Sequence, residues 1–261
     1  MSAGAERAHV TADGRLTAAD LPDMVSGMQT TLAQFNETTS TEAFALQNPY
    51  LLKVQLDQGE IRAKQGSMVA YQGDVSFEYV GGGVTKFMKK ALTGEGQDLM
   101  KVSGRGEVFL ADEAQHVHLI MLEGEQITVN GRNLLAIDAD IDWDIKRVQG
   151  ASGMMGGGLF NTVLRGSGWV AILSDGNPVL LDVGSAPTFA DAQAAITWSE
   201  GVSTSIKTDF KLTKSLTGRS SGESFQIAFS GQGWVLVQPS EGRVSPEPSG
   251  GGGGLGNLLG G

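Results

Sequence analysis

The sequence predicts an all-β chain in which one supersecondary unit is used three times. Three observations carry that expectation. A glycine-pair block recurs as Ser103-Gly104-Arg105-Gly106-Glu107-Val108-Phe109-Leu110, as Arg165-Gly166-Ser167-Gly168-Trp169-Val170-Ala171-Ile172, and as Ser230-Gly231-Gln232-Gly233-Trp234-Val235-Leu236-Val237. The first glycines of these blocks stand 62 and then 65 residues apart, and a near-constant period marks a repeated unit. Each block is flanked by apolar residues in period-two alternation. Val102, Leu164 and Phe229 come two before the first glycine; Val108, Val170 and Val235 come two after the second. Alternation of this kind turns one side of a strand towards a core. Finally, Val, Ile, Phe, Trp and Thr are frequent between closely spaced turn residues, which favours a barrel, prism or sandwich.

Taken in order, residues 1–40 form an extension ahead of the repeats. Asp20 and Pro22 read as a helix start. Met24, Val25, Met28, Leu32 and Phe35 then share one face at helical spacing. The expectation is a short amphipathic helix that covers a sheet edge of its own domain. The repeats fill residues 41–240, with units near 50–112, 115–174 and 177–238. In each, a first element is marked by Gly59-Glu60, by Gly124-Glu125 and, in a drifted third copy, by Gly184. Ala70 with Val75-Ser76-Phe77, then Ala136 with Ile141-Asp142-Trp143, then Ala195 with Ile206-Lys207 mark the next stretch. Glycine loops follow at Gly81-Gly82-Gly83, at Gly156-Gly157-Gly158 and, more sparsely, at Gly218 and Gly222. The paired glycines Gly104, Gly106, Gly166, Gly168, Gly231 and Gly233 then interrupt a strand, as corner or bulge glycines do. A unit of this size cannot bury both faces alone, so the three are expected to share one pseudo-threefold, barrel- or prism-like core. Residues 241–261 are rich in Pro, Ser and Gly, a composition that builds no packed core.

The chain has 261 residues, a net charge of −10 and no cysteine. The acidic balance argues against a nucleic-acid partner, because no basic patch exceeds Lys86 with Lys89-Lys90. Without cysteine there is neither disulfide nor thiolate chemistry. No basic start leads into an apolar stretch, and no run reaches the ~20 apolar residues of a membrane helix. The expected location is the cytoplasm.

Candidate chemistry is sparse. His116-Val117-His118, with Glu123 further on, places two imidazoles on one strand face. Their spacing is similar to the first half of the cupin metal motif. The third histidine is missing, since the only other one is His9, and a first-row metal wants three or more ligands. Ala111-Asp112-Glu113-Ala114-Gln115 just before them reads as a hairpin turn. Asp138, Asp140, Asp142 and Asp144 alternate with apolar residues and read as the solvated face of one amphipathic strand. The glycine pairs lead into strands, which is the wrong context for a Rossmann turn, and Gly81 to Lys86 fails the P-loop spacing. Val84 to Leu92 is a short basic amphipathic segment, read as a helical turn beside a glycine loop.

Several blocks together resemble bacterial members of the altered-inheritance-of-mitochondria protein 24 family. They are Ser67 to Phe77, the Gly104-x-Gly106 block, Trp143-Asp144-Ile145 through Gly150, Gly156 to Phe160, and Phe229 to Gly233. The likeness spans about residues 45–240. It implies a β-rich domain with internal pseudo-threefold symmetry, akin to the tryptophan RNA-binding attenuation protein-like superfamily. It also implies a homo-oligomer, with a trimer favoured, and brings no catalytic residues or cofactor.

The first expectation for function is a non-enzymatic, self-associating binding or scaffold protein. Its N-terminal helix or C-terminal tail would engage a protein partner or a membrane surface. The alternative is a cupin-like metal-dependent enzyme or small-ligand binder centred on His116, His118 and Glu123. Trp143, Trp169 and Trp234 are further candidates for lining a ligand groove between repeats.

Overall fold

The computed structural model describes residues 32–79, 99–147, 160–207 and 226–240. Fourteen strands run through them. The first group is β1 (Phe44–Asn48), β2 (Leu51–Lys64), β3 (Met68–Tyr79) and β4 (Leu99–Leu110). The second is β5 (His116–Asn130), β6 (Leu134–Asp138), β7 (Asp142–Arg147) and β8 (Phe160–Ser174). The third is β9 (Val179–Asp182), β10 (Thr188–Asp191), β11 (Ala195–Ser199), β12 (Val202–Lys207), β13 (Gln226–Gly231) and β14 (Trp234–Val237). The predicted all-β class is therefore what the chain adopts.

In every group the strand that carries the glycine pair is sandwiched between two antiparallel neighbours. Strand β4 lies between β2 and β3. Strand β8 lies between β5 on one side and β6 and β7 on the other. In the third group β13 lies between β10 and β12, and β14 between β9 and β11. One large sheet runs β3-β4-β2-β6-β8-β5-β11-β14-β9, with β1 on β2 and β7 on β8. A small sheet runs β10-β13-β12. The large sheet is open. Its end strands β3 and β9 do not pair with each other, so the described residues form no closed barrel, and the expectation of a barrel is corrected on this point.

The core divides along the chain into three clusters. The first gathers around Leu52, Val54, Val102 and Val108. The second centres on Ile127, Val129, Leu164 and Val170. The third centres on Trp198, Ile227, Phe229 and Val235, with Trp198 and Phe229 edge to face at 5.5 Å between ring centroids. The apolar residues predicted from the alternation are thus core residues.

All six corner glycines hold positive φ, between 119° and 153°. The reason is clearest at Gly106, which faces Gly73 across the β3–β4 pair. A Cβ on Gly106 would lie 2.0 Å from the Gln72 carbonyl oxygen. Two backbones approach there with no room for any side chain, in a region of conformation that is essentially glycine's own.

Three expectations need correction. Gly59-Glu60 and Gly124-Glu125 do not begin elements. They sit at bulges within β2 and β5, opposite the corner glycines, with Gln58 at φ 57° and Gly124 at φ 104°. In the third group Val202, not Ile206, takes the place of Val75 and Ile141. Val202 pairs with Gly231 as Val75 pairs with Gly104, and a Cβ on Gly166 would lie 3.8 Å from the Ile141 Cα. The turn at residues 111–115 is closed by Gln115 N–H to the Asp112 carbonyl at 2.9 Å. It is no hairpin, because β4 and β5 pair with other strands. The glycine loops, the basic segment 84–92 and the tail lie outside the described residues. So does the helix predicted ahead of Leu32. Leu32–Phe35 is a 3-10 turn whose Leu32 and Phe35 are 54% and 70% exposed, so neither covers a sheet edge.

Gly106→Ala is expected to destabilise the fold by more than about 2 kcal/mol, since strain and backbone overlap add. Gly59→Ala, with nothing within 4 Å of its Cβ position, should lie within about 0.5 kcal/mol of the wild type. Urea unfolding of the pair measures the contrast.

Candidate functional site

The residues predicted for chemistry sit on β5 and on the second corner. His116 and His118 share a face of β5, with nearly parallel rings 6.5 Å apart. The Tyr50 ring packs on His116 at 4.6 Å, held there by the Val117 N–H donating to the Pro49 carbonyl at 2.8 Å. His118 Nε2 lies 2.7 Å from Ser174 Oγ across the β5–β8 pair. The Ser174 hydroxyl donates to the Gly176 carbonyl at 2.6 Å, which leaves His118 as the donor to serine. Burial, and next the neighbouring His116, push His118 below its ordinary 6.5.

Glu123 is not brought to them. It stands five residues along the same strand from His118, about 16 Å at strand rise. It belongs to the β5 bulge, where its N–H donates to the Glu125 carboxylate at 2.5 Å. Among the described residues no three His, Asp or Glu side chains converge in a way that would hold a metal ion. His9 lies outside them. Among the described residues the donor set is two imidazoles, one of them already hydrogen bonded, which does not fit a cupin-type centre.

The aspartate series is split. Asp142 and Asp144 face solvent from β7, as expected of an amphipathic strand, and Asp140 is exposed in the preceding turn. Asp138 differs. It ends β6, and its Oδ2 accepts the Trp169 N–H at 2.6 Å, beside Gly168. Burial drives its carboxyl above the ordinary carboxylate range against the opposing effect of that hydrogen bond, and Asp140 adds to the rise. The third corner repeats the device with a neutral group: Ser199 Oγ accepts the Trp234 N–H at 3.0 Å, beside Gly233. The two side chains close strand breaks, β6 to β7 and β11 to β12, which β3 lacks. Trp143, Trp169 and Trp234 are each half-buried against the core clusters.

Sequence pattern alone does not single out Lys53. It is 4% exposed on β2, where it ion-pairs with Glu107 of β4 at 3.2 Å and with Glu37, and donates to the Thr38 carbonyl at 3.2 Å. Burial raises the Glu37 carboxyl, and its hydrogen bond with Glu107 raises it further. Gln47 adds a second clasp, accepting the Thr38 N–H at 2.8 Å and donating to the Asn36 carbonyl at 3.0 Å. Residues 36–38 are thereby strapped across β1, β2 and β4. The only signal in the sequence is a lysine inside the apolar run Leu51 to Leu56, where a buried cation needs carboxylates that pattern alone does not locate.

An open, wholly antiparallel β architecture with glycine corners defines the class. A family model described as mitochondrial biogenesis AIM24 matches residues 44–240, and the chain belongs to that family. A crystal structure of a protein from Streptococcus pyogenes shares the fold, with a TM-score of 0.61 at 22% identity over 76% of this chain and 92% of that one. No curated protein matches the chain. No helix among the described residues is long and apolar enough to cross a membrane.

Two outcomes follow from the site. Asp138→Ala leaves the Trp169 N–H without its acceptor and is expected to cost about 1–3 kcal/mol, with Asp138→Asn milder, as read by denaturant unfolding. A histidine held neutral contributes stability that is complete above its unfolded pKa and lost as pH falls through its lower folded value. The melting temperature should therefore drop on acidification from about pH 6.5 more steeply in the wild type than in His118→Gln. Identical slopes would show that His118 carries no such linkage.

Proposed function

We propose that this chain is a non-enzymatic, self-associating binding or scaffold protein, built of three repeated units and working in the cytoplasm as a homo-oligomer, with a trimer favoured. The observation that carries the reading is the exposed apolar edge. Strand β3 ends the large sheet and presents Val69 and Tyr71 at 57% and 48% exposure. Strand β9 ends it on the other side with Val179 and Leu180 exposed. A long apolar edge strand is a template for pairing with another chain, and stable monomers blunt it with charge, proline or a cover. Polar side chains drawn away from solvent here serve the fold: buried Lys53 anchors the strap, and half-buried Asp138 and Ser199 close strand breaks. The N-terminal extension and the tail are the segments we assign to a protein partner or a membrane surface.

Native mass spectrometry of the full-length protein tests the reading. A trimer without added mass is the expected result, and a monomer at micromolar concentration overturns self-association. Removal of residues 241–261 is expected to change neither the number of chains in the assembly nor the melting temperature. A large loss of stability would place the tail inside the fold.

A further inference from the structure

We infer that the self-association is a head-to-tail strand pairing between copies, in which β10 of one copy adds to β3 of the next, with Phe189 opposite Tyr71. This deepens the proposed function and rests on its self-association.

The register is set by pairings the chain already makes twice. Between the first and second groups, β2 pairs with β6, placing Ile61 opposite Asp138, Arg62 opposite Ile137 and Ala63 opposite Ala136. Between the second and third, β5 pairs with β11, placing Ile127 opposite Ser199, Thr128 opposite Trp198 and Val129 opposite Thr197. The rule is that the first strand of one group pairs with the middle strand of the next. Applied a third time, it leaves one strand of each kind without its counterpart.

Both leftovers are identified by their glycine-pair strands. Ile61 faces Val102, Ile127 faces Leu164 and Thr188 faces Phe229, and each of these partners stands two residues before the first corner glycine. On the other side, Ile137 faces Val170, Trp198 faces Val235 and Tyr71 faces Val108, each two after the second glycine. Thr188-Phe189-Ala190 of β10 is therefore the unmatched first strand, and Ala70-Tyr71-Gln72 of β3 the unmatched middle strand. Among the described residues β10 pairs only with β13 and β3 only with β4.

Burial gives the second, independent observation. All three middle strands carry a register shift at the same place: Met68/Ala70, Leu134/Ala136 and Ala195/Thr197. The residues inside those shifts are Val69, Leu135 and Ile196. Leu135 is fully buried in the first group's cluster and Ile196 in the second group's. Each thus completes the core of the group before its own. Val69 is 57% exposed, and the third cluster receives no such residue. Tyr71 is likewise 48% exposed where its counterparts Ile137 and Trp198 are buried. The occupant that fits Val69 and Tyr71 is the third group of another copy. Among the described residues the same chain does not supply it, because the large sheet is open and β3 and β10 lie in separate sheets. A head-to-tail contact of this kind is heterologous, and a ring of copies leaves none of these edges open.

The absence of cysteine makes the test direct. Opposed residues of antiparallel strands have Cα atoms about 4.5–5.5 Å apart, within the span of about 4.4–6.8 Å that a disulfide bridges. Full-length Tyr71→Cys and Phe189→Cys are oxidised separately, after mixing and subunit exchange, and as the double variant. The pairing predicts a reducible dimer from the mixture and a covalent ladder from the double variant, with no dimer from either single variant. An internal disulfide in the double variant would place the pairing within one chain and overturn the second copy as occupant. A dimer from Tyr71→Cys alone would mean an isologous β3 contact and overturn the register. Native mass spectra of the same samples separate the two levels. Oligomer without cross-link sinks the pairing and spares self-association, whereas monomer sinks both. Val69→Asp supplies a second arm, expected to release monomers with an unchanged β circular dichroism spectrum. An intact assembly of Val69→Asp would also overturn the pairing.

Discussion

The close backbone approach at the glycine corners is the constraint on which the rest of the structure depends. At Gly106 and Gly73 two strands come so near that a methyl group would overlap a carbonyl oxygen. That contact fixes the register of β3 on β4. The register in turn fixes which residues of β4 face the first cluster on either side of the contact, because strand faces alternate with a period of two. Val102 and Val108 are six residues apart and both fully buried. A slip of one position would turn both to the other face. The same reasoning holds for Leu164 with Val170, and for Phe229 with Val235.

The three corners reach one backbone geometry by different local chemistry. In the first, β3 runs through without a break, and glycine faces glycine. In the second and third, the middle strand breaks and a side chain fills the gap, Asp138 in one and Ser199 in the other. A side-chain acceptor satisfies an N–H that the strand ladder has abandoned, and a buried donor without a partner costs stability. The serine does this without a charge. The aspartate does it with a carboxyl that burial pushes upward, which is the less economical choice and ties that corner to the protonation of one group.

Much of this was legible in the sequence, because the corner needs glycine and the strand needs alternation. The glycine blocks located β4, β8 and the β13–β14 junction, and the flanking apolar residues named the cores of all three clusters. What was not legible depends on partners distant in sequence. Asp138 looks like its neighbours Asp140 and Asp142 until β8 is placed beside it. Lys53 looks like an exposed lysine until residues 36–38 cross over it. The bulges at Gln58 and Gly124 read as element starts, since a glycine marks a bulge and a strand boundary with the same letter. Strand alternation places His116 and His118 on one face, but the position of a third ligand is a tertiary fact, and the strand carries Glu123 away from them.

The counterparts differ most where the chain ends its own pattern. Leu135 and Ile196 are buried because another group precedes theirs. Val69 belongs to the first group and has no predecessor among the described residues. The question it poses is why an apolar residue stands at an exposed sheet edge, where lysine or proline would guard against unwanted pairing. Tyr71 poses the same question, and so does Phe189 on the strand that matches it. An edge that keeps its apolar residues in the register its internal copies use is an edge suited to a partner built like itself. In the pairing we propose, the exposed surface of β3 continues from one chain to the next the core-forming rule that joins the three groups.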